Sequence, residues 1–344
     1  MVNTAHACSY RRQTGFSLIE LMISITIGFI LLLALSGLFI SSSRNRNEMQ
    51  KSTNQQESGR YASQLLSDNL MLAGYLAEFD STPLTTPAVL PDPCATTIAD
   101  LLTAMPLHVQ GVTDAGATPM CVSDRKAGTD IIVVRRASTC IAGTAGCEAF
   151  VAGIPYFQAS LCSPPDGTEL ARDIPKDSPT ADYAAHYFAL SATVADFTRR
   201  KTNCVAGNFA PLQRYFVHIY FVANNNEAGD GIPTLKRAEL GDGAFTILPL
   251  VDGIENMQIE YGIDSDNNGT PNTYTSAPGT TADWRNVVTA RIHLLARNTS
   301  VTQGHTDTRS YTLGDKAVPA TDDKFKRHVY STSAQFINPS RRRQ

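Results

Sequence analysis

A run of twenty residues without a charged side chain, Leu21–Ile40, constrains this chain more than any other feature. At about 1.5 Å per residue, a helix of that length is roughly 30 Å long, which matches the hydrocarbon thickness of a bilayer. The first proline of the chain is Pro83, so nothing in the run breaks a helix. Basic residues flank the run on both sides, so charge counting leaves the orientation open. The sequence therefore predicts a membrane-spanning helix.

A cleaved secretory signal is the alternative explanation of such an N-terminus. The apolar core of a signal peptide is usually about 7–15 residues long, which is shorter than this run. The polar segment after Ile40 also lacks a small-x-small cleavage site. Both observations favour a retained membrane helix.

The composition limits the class of protein. Hydrophobic residues make up 42% of the 344 residues and charged residues 18%, which is too apolar for a disordered chain. Lys and Arg number 29 against 32 Asp and Glu, so the chain lacks the basic surplus of a nucleic-acid-packaging protein. We therefore expect no nucleic acid as a partner.

The residues before the apolar run form a recognisable motif. Residues 11–22 read RRQTGFSLIELM, which resembles the prepilin signature of type IV pilins and type II secretion pseudopilins. The resemblance implies that a prepilin peptidase on the cytoplasmic face cuts between Gly15 and Phe16 and removes the leader 1–15. It also implies N-methylation of Phe16 and a head on the periplasmic side of the inner membrane.

Glu20 is the one carboxylate close to the apolar run. An ionised side chain inside a membrane helix costs about 2.5–3.5 kcal/mol on insertion scales, so it persists only where something offsets the cost. One solution is that Glu20 reaches the nearby membrane interface. The family resemblance implies another, a salt bridge from Glu20 to the free amine of Phe16 in a neighbouring subunit.

The helix is predicted to continue past the membrane, from about Phe16 to about Tyr75. Its first part, 16–40, would serve the membrane or the filament core, and 41–79 would be an extended amphipathic part. The predicted buried face consists of apolar residues at helical spacing: Tyr61, Leu65, Leu66, Leu70 and Ala73. The alternative is a flexible linker at Ser41–Glu57 between an anchor and a separate domain.

The cysteines fall in one region, an insert over 80–208. Cys8 lies in the leader, which leaves an even set for the exported part: Cys94, Cys121, Cys140, Cys147, Cys162 and Cys204. An oxidising periplasm favours disulfides, and six cysteines allow fifteen pairings. Pairing of neighbours is the simplest of these. A metal site is the alternative, but no C-x-x-C occurs.

Strand patterns occur in the insert and dominate the region 209–344. In the insert they are Asp130–Arg136, Ile154–Gln158 and His186–Leu190. In the second half they are Tyr215–Ala223, Ile232–Leu240, Phe245–Val251, Ile254–Ile263, Val287–Arg297, Thr308–Leu313 and a closing stretch Arg327–Ile337. A long helix followed by closely spaced strands predicts an α+β fold, with the helix packed on an antiparallel sheet.

The second half resembles the PilW family of minor pilins. The resemblance lies in the segments YFVHIYFVANNN, GDGIPTLKRAEL, VDGIENMQIEYGIDSDNNG, VVTARIHLLAR and YSTSAQFINP. It implies a type IV pilin-like fold with a disulfide-containing insert, and a role in priming pilus assembly near the tip. Many major pilins have a proline late in the membrane helix, whereas this chain has Gly28 and Gly37. A proline-dependent kink is therefore not expected.

The same resemblance implies the partners. They are other minor pilins, the major pilin, a pilus-tip adhesin, the prepilin peptidase and the inner-membrane assembly platform. Two alternatives stay open, namely a type II secretion pseudopilin and a pilus-associated adhesin or DNA-uptake subunit. We find no catalytic motif, P-loop or nucleophile elbow in the sequence, so we expect no enzyme and no organic cofactor.

One polar segment, DSDNNG, resembles the start of a calcium loop. Its spacing would direct Asp264, Asp266 and Asn268 at one cation. Position twelve of such a loop is Thr275, so the bidentate carboxylate of an EF-hand is missing. A polar turn around Asn-Gly is the alternative. We further expect the tail Arg341–Arg343 to be solvated and Trp284 to pack in the head.

Overall fold

The computed structural model describes residues 15, 17–82, 84–163 and 186–343. The leader before Gly15, the predicted first mature residue Phe16 and part of the insert lie outside the described residues. The chain divides into two units, Met1–Lys51 and Ser52–Gln344.

Helix α1 spans Leu18–Met71, close to the predicted bounds, and residues 41–57 are helical rather than a linker. Among the described residues this helix is long and apolar enough to cross a membrane, and none of its apolar window is buried. The part of α1 from Leu18 to Ile40 is therefore an exposed apolar surface.

The C-terminal part of α1 packs on the head through one face. Its buried residues are Gln55, Gly59, Ala62, Leu66 and Leu70, at spacings of three and four residues. The prediction that Tyr61 belongs to this face is wrong, because its side chain is 56% exposed. Consecutive residues lie about 100° apart around a helix, so position 61 points away from the row that contains position 62.

The first sheet of the head has seven strands among the described residues and is antiparallel throughout. Its strands are β1 Val109–Val112, β2 Ile131–Ile141, β3 Tyr156–Ala159, β4 Phe188–Ser191, β5 Gln213–Ala223, β6 Thr234–Leu240 and β7 Phe245–Asp252. The central strand β5 pairs with β2 along one edge and with β3 and β6 along the other. Strands of the insert and of the second half thus share one sheet.

A second sheet has the order β13–β10–β8–β9, and β11 and β12 form a separate pair. The bounds are β8 Ile254–Ile263, β9 Thr273–Thr275, β10 Val287–Arg297, β11 Tyr311–Leu313, β12 Lys316–Val318 and β13 Arg327–Gln335. The α+β class is confirmed, with antiparallel sheets in the head.

Short helices connect these strands. They are α2 Ile98–Ala104, α3 Thr281–Arg285, α4 Ile337–Arg341 and a 3₁₀ turn, Val194–Asp196. A capping box fixes the start of α3, because the Thr280 side chain accepts from the backbone of Asp283 and the carboxylate of Asp283 accepts from that of Thr280. Trp284 within α3 is buried edge-on against Tyr261, as predicted.

Two apolar cores lie on opposite faces of the first sheet. Alternate residues of β2 and β5 belong to different cores: Ile132 and Tyr220 face α1 and the second sheet, whereas Val133 and Phe221 face the other core. Because both faces of β5 are covered, its sequence is a continuous apolar run rather than an alternating one.

Candidate functional site

The residues of the predicted prepilin site lie at the start of α1. Gly15 is exposed, Phe16 is outside the described residues, and Glu20 is in the first turn of α1 with its side chain exposed. The Ser24 hydroxyl donates to the backbone carbonyl of Glu20 at 2.7 Å. The cleavage, the methylation and the salt bridge stay predictions.

The surface behind Glu20 is apolar and open. Large side chains such as Leu33, Leu38 and Phe39 are 72%, 69% and 76% exposed. A soluble protein seldom exposes so large an apolar surface, which marks a site for lipid or for another protein. The helix satisfies its own backbone hydrogen bonds, so its apolar surface can enter a bilayer or a bundle of similar helices.

Among the described residues the insert contains three disulfides, and each joins two cysteines that are consecutive in the sequence. Cys94 pairs with Cys121, Cys140 with Cys147, and Cys162 with Cys204, with Cα–Cα distances of 5.6, 5.7 and 5.2 Å. Because each disulfide closes a loop, it lowers the conformational entropy of the unfolded chain and thereby stabilises the head.

The predicted calcium residues lie in a turn after β8. Asp264 is fully buried, and its two carboxylate oxygens accept from the backbone N–H groups of Asn268 and Gly269 at 3.2 and 2.9 Å. Asp266 accepts from the Asn268 side chain at 2.9 Å. Among the described residues, no group of three or more His, Cys, Asp or Glu side chains is placed to hold a metal ion. These contacts favour the polar turn over the calcium loop.

The prediction of a solvated C-terminal tail is wrong for two of its arginines. Arg342 donates to the carbonyl of Phe79 at 2.6 Å. Arg343 donates to the carbonyl of Arg285 at 2.7 Å and lies 3.6 Å from the Asp264 carboxylate. These contacts connect the C-terminal end of α4 to the loop after α1 and to the turn after β8.

Two buried histidines are structural. His108 lies 2.7 Å from the carbonyl of Val287, and burial lowers its pKa to about 3. His218 is 3% exposed and lies 3.4 Å from Glu239, and burial lowers its pKa to about 4. Burial therefore keeps both side chains in the neutral form at pH 7.

The sequence did not point to the cluster of arginines that surrounds His218. Arg136, Arg214 and Arg237 come from three different strands, and strand pairing alone brings them together. A period-two alternation of basic and aromatic residues at 214–218 is the local signal that could have indicated a polar patch on an otherwise apolar strand.

Two family models match the chain. The model of type IV pilus-assembly protein W, PilW, matches residues 219–338, and that of the prokaryotic N-terminal methylation motif matches residues 10–36. No curated protein matches the chain. The solved structure of a type IV-like pilin from Thermus thermophilus is similar at 12% identity, with a TM-score of 0.32, and the match covers 82% of this chain and 95% of that one. The chain is thus similar to the PilW family of type IV pilus-assembly proteins over residues 219–338, and it carries the N-terminal methylation motif at residues 10–36.

Proposed function

We propose that this protein is a minor pilin that primes assembly of a type IV pilus and stays near its tip with other minor pilins. It is made in the inner membrane with its head in the periplasm and is cut between Gly15 and Phe16 by a prepilin peptidase. Phe16 is then methylated. The protein acts without catalysis of its own.

The observation that carries the proposal is the N-terminal part of α1. Glu20 is followed by twenty residues without a charge, and their side chains are exposed. In a membrane or a filament this surface packs against the helices of other pilins. The Glu20 carboxylate then pairs with the free amine of Phe16 in the neighbouring subunit, which offsets the cost of burying both charges.

The size of the head supports a position at the tip. The second unit spans Ser52–Gln344, which is a bulky domain to repeat along a thin filament. Used once, at the tip, it can contact the heads of other minor pilins and an adhesin, while the helix joins the major pilin below. The assembly platform in the inner membrane then adds further subunits.

The substitution Glu20→Ala tests the assembly role. We expect surface pili to be lost while the level of the protein in the membrane stays normal. The matched control is Glu227→Ala, which removes an exposed carboxylate from a turn of the head and should leave piliation unchanged. Normal piliation in Glu20→Ala would contradict the assembly role.

Three further measurements test the tip position and separate the alternatives. Antibody to the head should label pilus tips, and even labelling along the shaft would contradict the tip position. If the protein were a secretion pseudopilin, its deletion would stop protein secretion and spare pili. If it were an adhesin or DNA-uptake subunit, deletion of the insert would spare pili and stop adhesion or uptake.

A further inference from the structure

One end of the first sheet carries a basic cavity of about 330 Å³. Strand register builds its floor: Arg136 on β2 lies opposite Phe216 on β5, and Glu239 on β6 lies opposite His218 on β5. Side chains two residues apart on a strand share a face. Arg214 therefore stands on the same side as Phe216, next to the cavity.

The positive charge in this cavity exceeds the negative charge. Arg214 and Arg237 share one carboxylate, that of Glu239, at 2.9 and 2.7 Å. Glu148 is 3.7 Å from Arg214, but it is 81% exposed and screened by water. Arg136 forms no ion pair with any carboxylate of the described residues, and its guanidinium donates to the backbone carbonyl of Ala137 at 3.1 Å.

The guanidinium groups are held in place before any ligand arrives. Those of Arg136 and Arg214 lie 4.8 and 4.9 Å from the centroid of the Phe216 ring, which restricts their rotamers. A fixed guanidinium fork matches the two oxygens of a carboxylate or phosphate. Arg136 is partly buried and feels the charge of Glu239 only at a distance, so an incoming anion would form its first direct ion pair among the described residues.

The walls limit the size of the ligand. Cys140 and Cys147 line the cavity, and their disulfide fixes the loop that forms one wall. A volume of about 330 Å³ is at the small end of ligand sites. We propose that this cavity binds a small free oxyanion, a phosphate or a low-molecular-weight carboxylate, with Arg136 as its main ion-pair partner.

Isothermal titration of the full-length protein in detergent tests this proposal. Sodium phosphate and sodium citrate are titrated separately, with sodium chloride at equal ionic strength as the reference. We expect saturable heat for at least one of the two, and the stronger response tells phosphate from carboxylate. Absence of saturable heat with both anions would overturn the proposal.

Two variants locate the binding. Arg136→Gln should weaken binding at least tenfold, whereas Arg291→Gln should leave it unchanged; Arg291 is an exposed arginine that lies over Tyr274 in the second sheet. Unchanged binding in Arg136→Gln would refute the site. If Arg136→Gln does not fold, the variant Ser138→Glu tests the site instead. It places a carboxylate in the lining of the cavity, where it repels an anion, and it keeps all the arginines. Ser138→Glu should also abolish the heat, and retained binding would contradict the proposal. These titrations do not depend on pilus assembly, so their failure would leave the proposed function intact.

Discussion

Arg327 at the start of β13 offers the sharpest test of how the head is stabilised. Its side chain is 2% exposed and contacts three carboxylates: Glu255 at 2.5 Å, Asp323 at 2.6 Å and Asp307 at 3.3 Å. The hydrogen bond from Arg327 holds the pKa of Asp323 well below its usual value. The network joins the second sheet to the loops around β11 and β12.

The substitution Arg327→Met keeps much of the side-chain volume and removes the charge. It leaves Asp307, which is 1% exposed, without its buried counter-ion. Removing one partner of a buried ion pair costs about 3–5 kcal/mol. Asp323 is 32% exposed, so water compensates part of the ion pair that it loses. We therefore expect a loss of stability at the lower end of this range, about 3 kcal/mol. The control Arg309→Met removes a 58% exposed partner of the same Asp307 and should cost about 0–1 kcal/mol.

The single tryptophan provides the assay. Trp284 is 3% exposed, so its fluorescence reports unfolding of the head in a urea titration of the full-length protein in detergent. With a slope of about 3 kcal/mol/M, a loss of 3 kcal/mol lowers the midpoint by about 1 M. A similar midpoint shift in both variants would refute the reasoning.

The pH dependence gives a second check. In the wild type the folded-state pKa of Asp323 is depressed, so its stabilisation is present above the usual pKa of 3.8 and is lost as the pH falls towards the folded value. In Arg327→Met this stabilisation is absent, and protonation of Asp307 relieves the burial cost. The difference between wild type and variant should therefore shrink as the pH falls below about 4. A difference that grows on acidification would contradict this account.

Three further predictions use the same assay. Gly59→Ala should destabilise the head by about 1–3 kcal/mol, because the new Cβ would lie 2.2 Å from the Tyr330 ring, and a gain in stability would disprove the close packing. Because burial depresses the pKa of His108, the stabilisation from its neutral form is present above pH 6.5 and is lost as the pH falls towards 3. Between pH 6.5 and 5 the free energy of unfolding should therefore fall by up to about 1.4 kcal/mol per pH unit, and this fall should be smaller in His108→Gln. Calcium should shift the melting temperature by less than about 1 °C, since the oxygens of Asp264 already accept backbone hydrogen bonds. If a calorimetric titration with calcium gave saturable heat, and Asp266→Ala abolished that heat, the calcium-loop hypothesis would be supported instead.

Long, strongly patterned elements could be predicted from the sequence, whereas several of the short ones could not. Helix α1 and the strands β2, β5, β6, β8 and β10 lie within a few residues of their predicted bounds. The three-residue strands β9 and β12 were missed, because so short a segment has no period of its own and extends only where a neighbour pairs with it. Helix α2 and β1 were missed in a region rich in proline and threonine.

The errors at single residues have a common cause. Arg342 and Arg343 carry charges that normally face water, but here they donate to backbone carbonyls of Phe79 and Arg285, which are distant in the sequence. Backbone acceptors leave no sequence signal, so a solvated tail was the only prediction available. Likewise, the sequence does not show why residue 59 is a glycine, because the ring of Tyr330 from β13 occupies the position that a Cβ at residue 59 would take.

The sequence by itself determined the N-terminal part of this protein. The Gly-Phe junction and Glu20 lie in the segment that matches the N-terminal methylation motif, and the charge-free run makes one helix apolar enough to cross a membrane; both are local properties of the sequence. Tertiary structure decided the head. The two cores on either side of β5 and the arginines around Phe216 depend on strand register between distant segments. Shifting a strand by one residue moves every side chain to the other face, so only the assembled sheet fixes which residues meet.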